Sequence, residues 1–381
     1  MDFDFTWLLW CLPLAFALGW GASQLDLRQW RMESRQAPKA YFRGLNHLLN
    51  EQQDQAIDAF IEAVQGDPDT AELHFALGNL FRRRGDYDRA VRVHEHLLSR
   101  ADIGRGDRDR AQHALALDFL KAGLLDRAES ALNKLEGSAF EGEALIALLG
   151  ISERSRDWPK AQQIAQRLEN AEQGSFATRL AHYRCEEAEL SLRASDAERA
   201  LSLLEAAVQQ APQLARGWMA LSALKAQSGD TNGAFDTLLR LQKHAPQSLP
   251  LAARTLADLA QKTGRQAEAV HVLEASHARA PSIDVTEALA SLAADPIAAR
   301  ARYMDHLTRE PSLVIASQWM AGETLSSQTA QERVQATLDN ASAPLKRYRC
   351  AACGFEARQH FWQCPGCQAW DSYPARRVEE L

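Results

Sequence analysis

Between residues 40 and 310 the chain is rich in Ala and Leu, polar and apolar positions alternate with a helical period, and few runs of Val, Ile and Thr suit strands. The segment also aligns with itself. One stretch reads YFRGLNHLLNEQQDQAIDAFIEAVQGDP and the next reads LHFALGNLFRRRGDYDRAVRVHEHLLSRAD. Gly44 maps to Gly78 and Ala56 to Ala90, each a step of 34 residues. The small residue recurs at Ala128, Ala161, Ala200, Ala234, Ala269 and Ala299, with steps of 38, 33, 39, 34, 35 and 30. Pro68, Pro212, Pro246, Pro281 and Pro311 close several of the units, where proline stops a helix.

This period resembles the tetratricopeptide repeat, a helix-turn-helix unit of 34 residues. The small residue lets the second helix pack close against the first. Gly85, Gly229 and Gly264, five residues before an Ala of the series, sit where the chain turns between helices. One helix pair cannot bury its apolar stripe, so the units must stack. The expected fold is all-α: a tetratricopeptide-repeat superhelix of about eight or nine units over 40–340, offering a concave groove to peptides. The last unit, Leu313 to Asn340, is degenerate and reads as a cap.

The two ends depart from this pattern. Thr6 to Ala22 reads TWLLWCLPLAFALGWGA, seventeen residues without a charge. As a helix it spans roughly 26 Å, close to a bilayer core of roughly 30 Å. Trp7, Trp10 and Trp20 lie toward its ends, and Pro13 is tolerable inside a membrane helix. Asp2 and Asp4 stand where a cleaved signal peptide needs basic residues, and no small-x-small cleavage site follows, so an uncleaved transmembrane anchor is expected over 1–22. A basic linker follows over 23–39. Its Arg28, Arg31, Arg35 and Lys39 predict a cytoplasmic bulk and an outside amino terminus.

At the other end, over 345–381, stand Cys350-Ala-Ala-Cys353-Gly354 and Cys364-Pro-Gly-Cys367. Four of the six cysteines thus fall within eighteen residues. Two C-x-x-C pairs can close a tetrahedron of thiolates around one metal ion. Disulfide pairing is the alternative, and a reducing compartment disfavours it. All four positions are protein ligands, which predicts a structural metal with no coordination site left for substrate. A tail this short needs such a staple, and Tyr348, Phe355, Phe361, Trp362, Trp370 and Tyr373 would wrap the ion and dock the knuckles on a neighbouring surface. Cys11 and Cys185 read as small packing residues.

A net charge of −7 over 381 residues gives no electrostatic reason to bind nucleic acid. No phosphate loop, nucleophile elbow or dinucleotide fingerprint is present, and no catalytic residue is assigned. His94-Glu95-His96 points its histidines to different faces of a helix and makes no zinc site. His182, His271 and His306 read as surface or core residues.

Taken in order, the anchor, the YFRGLNHLLNEQ opening, the GNLFRRRGDYDRA second repeat and the CxxCG…CPxC knuckles resemble the lipopolysaccharide assembly protein B family over essentially the whole chain. The resemblance implies a Gram-negative inner-membrane protein with a periplasmic amino terminus, a cytoplasmic repeat array and a rubredoxin-type metal domain packed on it. It implies an adaptor for the membrane protease FtsH that promotes degradation of the lipid A pathway deacetylase. Other inner-membrane lipopolysaccharide regulators stand among the implied partners, and a homodimer is left open. Carried over by motif, the metal ligands are Cys350, Cys353, Cys364 and Cys367. The second knuckle lacks the glycine often found after the last rubredoxin cysteine, and the ten-residue gap is that of a zinc ribbon, so iron and zinc both stand. The competing functions are a scaffold for envelope-synthesis enzymes and a rubredoxin-like electron carrier.

Overall fold

The computed structural model describes Phe16, residues 39–67 and residues 70–381. The anchor expected over 1–22 and the segment 23–38 fall outside these residues, Phe16 aside. Among the described residues no helix is long and apolar enough to cross a membrane. The chain divides into two compact units, Met1–Asp157 and Trp158–Leu381.

The first unit holds α1 (39–49), α2 (Gln53–Gly66), α3 (Ala71–Arg84), α4 (Tyr87–Ser99), α5 (Arg105–Lys121), α6 (Leu125–Asn133) and α7 (Glu141–Ser155). The second holds α8 (Trp158–Asn170), α9 (Ala177–Arg193), α10 (Ala197–Gln210), α11 (Ala215–Gln227), α12 (Thr231–His244), α13 (Leu249–Thr263), α14 (Gln266–Arg279), α15 (Ile283–Ser291), α16 (Pro296–Arg309), α17 (Leu313–Ala321) and α18 (Gln328–Ser342). After them come two short antiparallel strands, β1 (Tyr348–Arg349) and β2 (Glu356–Ala357), and a terminal 3-10 turn at Val378–Glu380.

Helices of successive hairpins stack because each buries one stripe. The repeated small residues sit at the tightest points: Ala56, Ala90, Ala128, Ala161, Ala200, Ala234 and Ala269 are all 0% exposed. A larger side chain there would push the two helices of a hairpin apart. Ala299 is only half-buried, where the partner helix α15 is nine residues long. Gly85, Gly229 and Gly264 adopt φ of +85°, +90° and +74°, the left-handed conformation that lets the chain reverse between helices. Gly78 has a different reason to be glycine: a Cβ there would lie 2.5 Å from His94 Nε2.

In the second unit α9 to α15 share one core built around Leu204, Trp218, Phe235, Leu238, Leu256 and Leu273. The Trp218 indole N–H donates to the Pro212 carbonyl at 2.8 Å, fastening the turn that leads into α11.

The first unit contains a buried polar network between its repeats. His94 and Asp118 are both 0% exposed, with Nδ1 and Oδ2 2.5 Å apart. Arg82 Nη1 donates to Asp118 Oδ1 at 2.9 Å and to the Ala114 carbonyl at 3.1 Å. Burial of a carboxylate is tolerable only because both of its oxygens are paired. Arg110 adds a two-pronged pair to Glu72 (2.6 and 3.2 Å) and lies over the Phe75 ring.

Candidate metal centre and its dock

The four cysteines named by their spacing come together. Their sulfurs all lie within 4.8 Å of one another. Cys350 and Cys367 are 3.8 Å apart, Cys353 and Cys364 3.7 Å. A tetrahedron with metal–sulfur bonds of about 2.3 Å has edges of about 3.8 Å, so the donor set fits one thiolate-bound ion. All four are free thiols.

Backbone hydrogen bonds build both knuckles to one plan. Gly354 N–H donates to the Cys350 carbonyl (2.9 Å), and Gln368 N–H to the Cys364 carbonyl (2.8 Å). Cys350 N–H donates to Phe355 O and Cys364 N–H to Ala369 O, both at 2.9 Å. The residue after each second cysteine is left-handed, Gly354 at φ +77° and Gln368 at φ +62°. Glycine takes that conformation freely, whereas Gln368 pays about 1–2 kcal/mol for it. The missing glycine therefore changes the cost of the second knuckle and leaves its geometry intact.

Electrostatics within the cluster also call for a cation. Against burial, hydrogen bonds from Ser372 and from the N–H groups of Cys353 and Ala352 pull the Cys350 thiol down to about 6. Against the Phe355 N–H, burial and the other three sulfurs push Cys353 up to about 12. Four negative sulfurs this close repel one another unless a metal ion offsets their charge.

Cys350 and Cys364 are buried, while Cys353 and Cys367 are exposed. Beyond these two sulfurs, only Tyr348 and Tyr373 are buried in the module's core cluster, with Ala357 and Phe361 of the module and Leu251 of α13 packed against it. Half of that core is the ligand set itself.

The module lies against α8, α9, α13 and α15 of its unit. Trp370 packs edge-on against Trp158 (ring centroids 6.4 Å) and Tyr183 (6.1 Å), which stack on each other, and the His182 ring is tilted against it at 4.4 Å. His182 Nε2 meets both Asp371 carboxylate oxygens at 3.0 Å. Burial lowers the His182 pKa more than the Asp371 contact raises it. Trp362 packs against the α9–α15 core. Further along, Arg377 donates to both oxygens of Asp284 on α15 (2.9 and 2.6 Å), with its guanidinium 4.2 Å from the Tyr348 ring centroid.

Of the aromatics expected at the dock, Trp362 and Trp370 meet the helices, Tyr348 and Tyr373 fill the module, and Phe355 is exposed. His182, read from the sequence as a surface or core residue, is buried, and its partner Asp371 lies 189 residues away. Asp284, Glu379 and Glu380 carried no signal in the sequence, because each acts through a contact across the fold.

Comparison with known proteins finds the same two parts, a metal-binding module and a repeat. A family model described as a rubredoxin metal binding domain matches residues 348–373, and a tetratricopeptide repeat model matches residues 73–111. Lipopolysaccharide assembly protein B of Escherichia coli (strain K12) is 30% identical over 97% of this chain and 98% of its own. The protein of that name from Haemophilus influenzae is 28% identical over 95% and 96%. Among solved structures, a tetratricopeptide repeat protein from Parabacteroides merdae covers 68% of this chain and 99% of its own at 13% identity, with a TM-score of 0.35. That score is low, and the repeat fold rests on the helices and small residues described above.

Proposed function

We propose, because this chain belongs to the lipopolysaccharide assembly protein B family, that it regulates lipopolysaccharide synthesis as a membrane-held adaptor. In this reading it brings the lipid A pathway deacetylase to the membrane protease FtsH and carries out no chemical step itself. The observation that carries the proposal is the full-length match to relatives of that name, spanning repeats and metal module alike.

Thr6–Ala22 would anchor the chain in the inner membrane, with the amino terminus periplasmic and the repeats cytoplasmic. Holding a client-binding array in the same membrane as a protease raises the client's effective concentration beside it without new contacts. Cys350, Cys353, Cys364 and Cys367 would hold one iron or zinc ion. When bound, that ion supplies a cross-link between the knuckles. The chain's own residues do the rest: Trp370, Asp371 and Arg377 fasten the module along α8, α9 and α15. The other expected partners, inner-membrane lipopolysaccharide regulators and a second copy of the chain, belong to the same proposal.

The decisive measurement is the deacetylase half-life in cells with and without this protein. The adaptor reading expects it to lengthen several-fold when the protein is absent. An unchanged half-life leaves only the scaffold. One observation favours the electron-carrier reading, the exposure of Cys353 and Cys367. Reversible bleaching of a visible band in native material would support it, and a colourless zinc protein would end it.

A further inference from the structure

The last residues of the chain do something that neither a repeat array nor a metal knuckle requires. Glu379 Oε1 accepts from Leu313 N–H at 2.5 Å, and Oε2 accepts from Val314 N–H at 3.2 Å and from Ser312 Oγ at 2.6 Å. Ser312 Oγ in turn accepts from Ile315 N–H at 3.0 Å. Every amide of the first turn of α17 is thereby satisfied. Glu380 Oε1 accepts from Ile283 N–H, the first amide of α15, at 2.7 Å. We infer that Glu380 caps the N-terminus of α15, that Glu379 completes the cap Ser312 begins at α17, and that the metal ion sets the order of the last two hairpins through them.

Three observations carry this. First, α15, like most helices of the chain, receives no side-chain cap from its own N-cap residue, whereas α10, α12, α16, α17 and α18 take one locally from Asp196, Asp230, Asp295, Ser312 and Ser327. Its anionic cap comes from 97 residues away. Second, α15 and α17 are only nine residues long. Helices that short are marginal by themselves, so satisfying their first-turn donors and complementing their dipoles weighs heavily.

Third, the tail is held in place by the module. Val378 N–H donates to Arg347 O (2.7 Å), and Arg377 Nη1 to Lys346 O (2.7 Å). Upstream, Ala351 N–H donates to Ser372 O (2.7 Å) and Tyr373 OH to Phe355 O (3.1 Å). Tail and knuckles are thus one hydrogen-bonded piece. With half of its buried core made of ligand sulfurs, that piece has little to hold it once the ion leaves.

The inference rests on the four cysteines holding one ion, and the test separates the two. Hydrogen exchange of the full chain is compared when metal-loaded and when stripped by a chelator under reducing conditions. Stripping is expected to speed exchange at Ile283, Leu313 and Val314 by about tenfold or more, with α10 to α12 unchanged. In the loaded protein Glu379→Ala should release Leu313 and Val314 alone, and Glu380→Ala should release Ile283 alone. Each should keep one ion per chain. Glu379→Gln should recover part of the protection, since its amide oxygen still accepts.

A stripped protein with unaltered first-turn amides overturns the inference, as does uniform acceleration across the unit. So does loss of the ion from Glu379→Ala, which would make the tail merely part of the module's fold. A chain that takes up neither zinc nor iron sinks the four-cysteine reading instead.

Discussion

The two units solve one problem in partly different ways. In the first, the polar groups between repeats are satisfied inside the array: Asp118 is closed off by His94 and Arg82, and Glu72 by Arg110. In the second, Arg216 is likewise paired inside the array with Glu186 and Glu189, but other first helices hand polar groups to the metal module: His182 to Asp371, Asp284 to Arg377, and the starts of α15 and α17 to Glu380 and Glu379. A repeat protein whose layers close on themselves needs no further part. One whose layers look outward depends on what fills them, and here the filler is stapled by a metal. The second unit is therefore conditional in a way that the first is not.

The sharpest way to break the comparison is Asp118→Ala. It strands a buried imidazole and a guanidinium, and should cost about 3–5 kcal/mol of the first unit's stability, read by urea unfolding. Metal content and the second unit's exchange pattern should not change. A shared loss would mean that the two units are not independent.

Trp370→Ala attacks the other side without touching a ligand. Trp370 is only partly buried, so about 2 kcal/mol is expected, below the ~3–5 kcal/mol of a fully buried tryptophan. The ion should stay bound while proteolysis between α18 and Tyr348 quickens. Unchanged cleavage would show that the aromatic dock contributes little.

The smallest effect is a pH dependence. Burial lowers the pKa of both His182 and His360, so the folded protein binds fewer protons there than the unfolded chain. Their contribution is whole above the ordinary histidine value of about 6.5 and is lost as pH falls from there toward the lowered values. Melting of the second unit should drop as pH falls below about 6.5, and His182→Asn should flatten part of that slope. An identical slope in the variant would assign the dependence to other groups.

How much of this was legible beforehand follows from the range of each interaction. The Ala series was readable because helix packing repeats its demand every 34 residues or so, and all seven of its well-formed members are wholly buried. The left-handed turns at Gly85, Gly229 and Gly264 were readable because only glycine takes that conformation without strain. The cysteines were readable because two ligands two residues apart announce their shared partner. The dock was not. His182 and Asp371 are separated by 189 residues, and Ile283 and Glu380 by 97; no local pattern marks either pair.

The sequence by itself thus determined the periodic helices and the four-thiolate knuckles, since periodicity and short spacing are properties of a chain before it folds. Tertiary structure alone decided that the module lies along α8, α9 and α15 and that the final glutamates close α15 and α17. Those contacts join residues whose only relation is the place where the fold leaves them, so a helix start lacking its own cap and an acidic tail become partners through geometry.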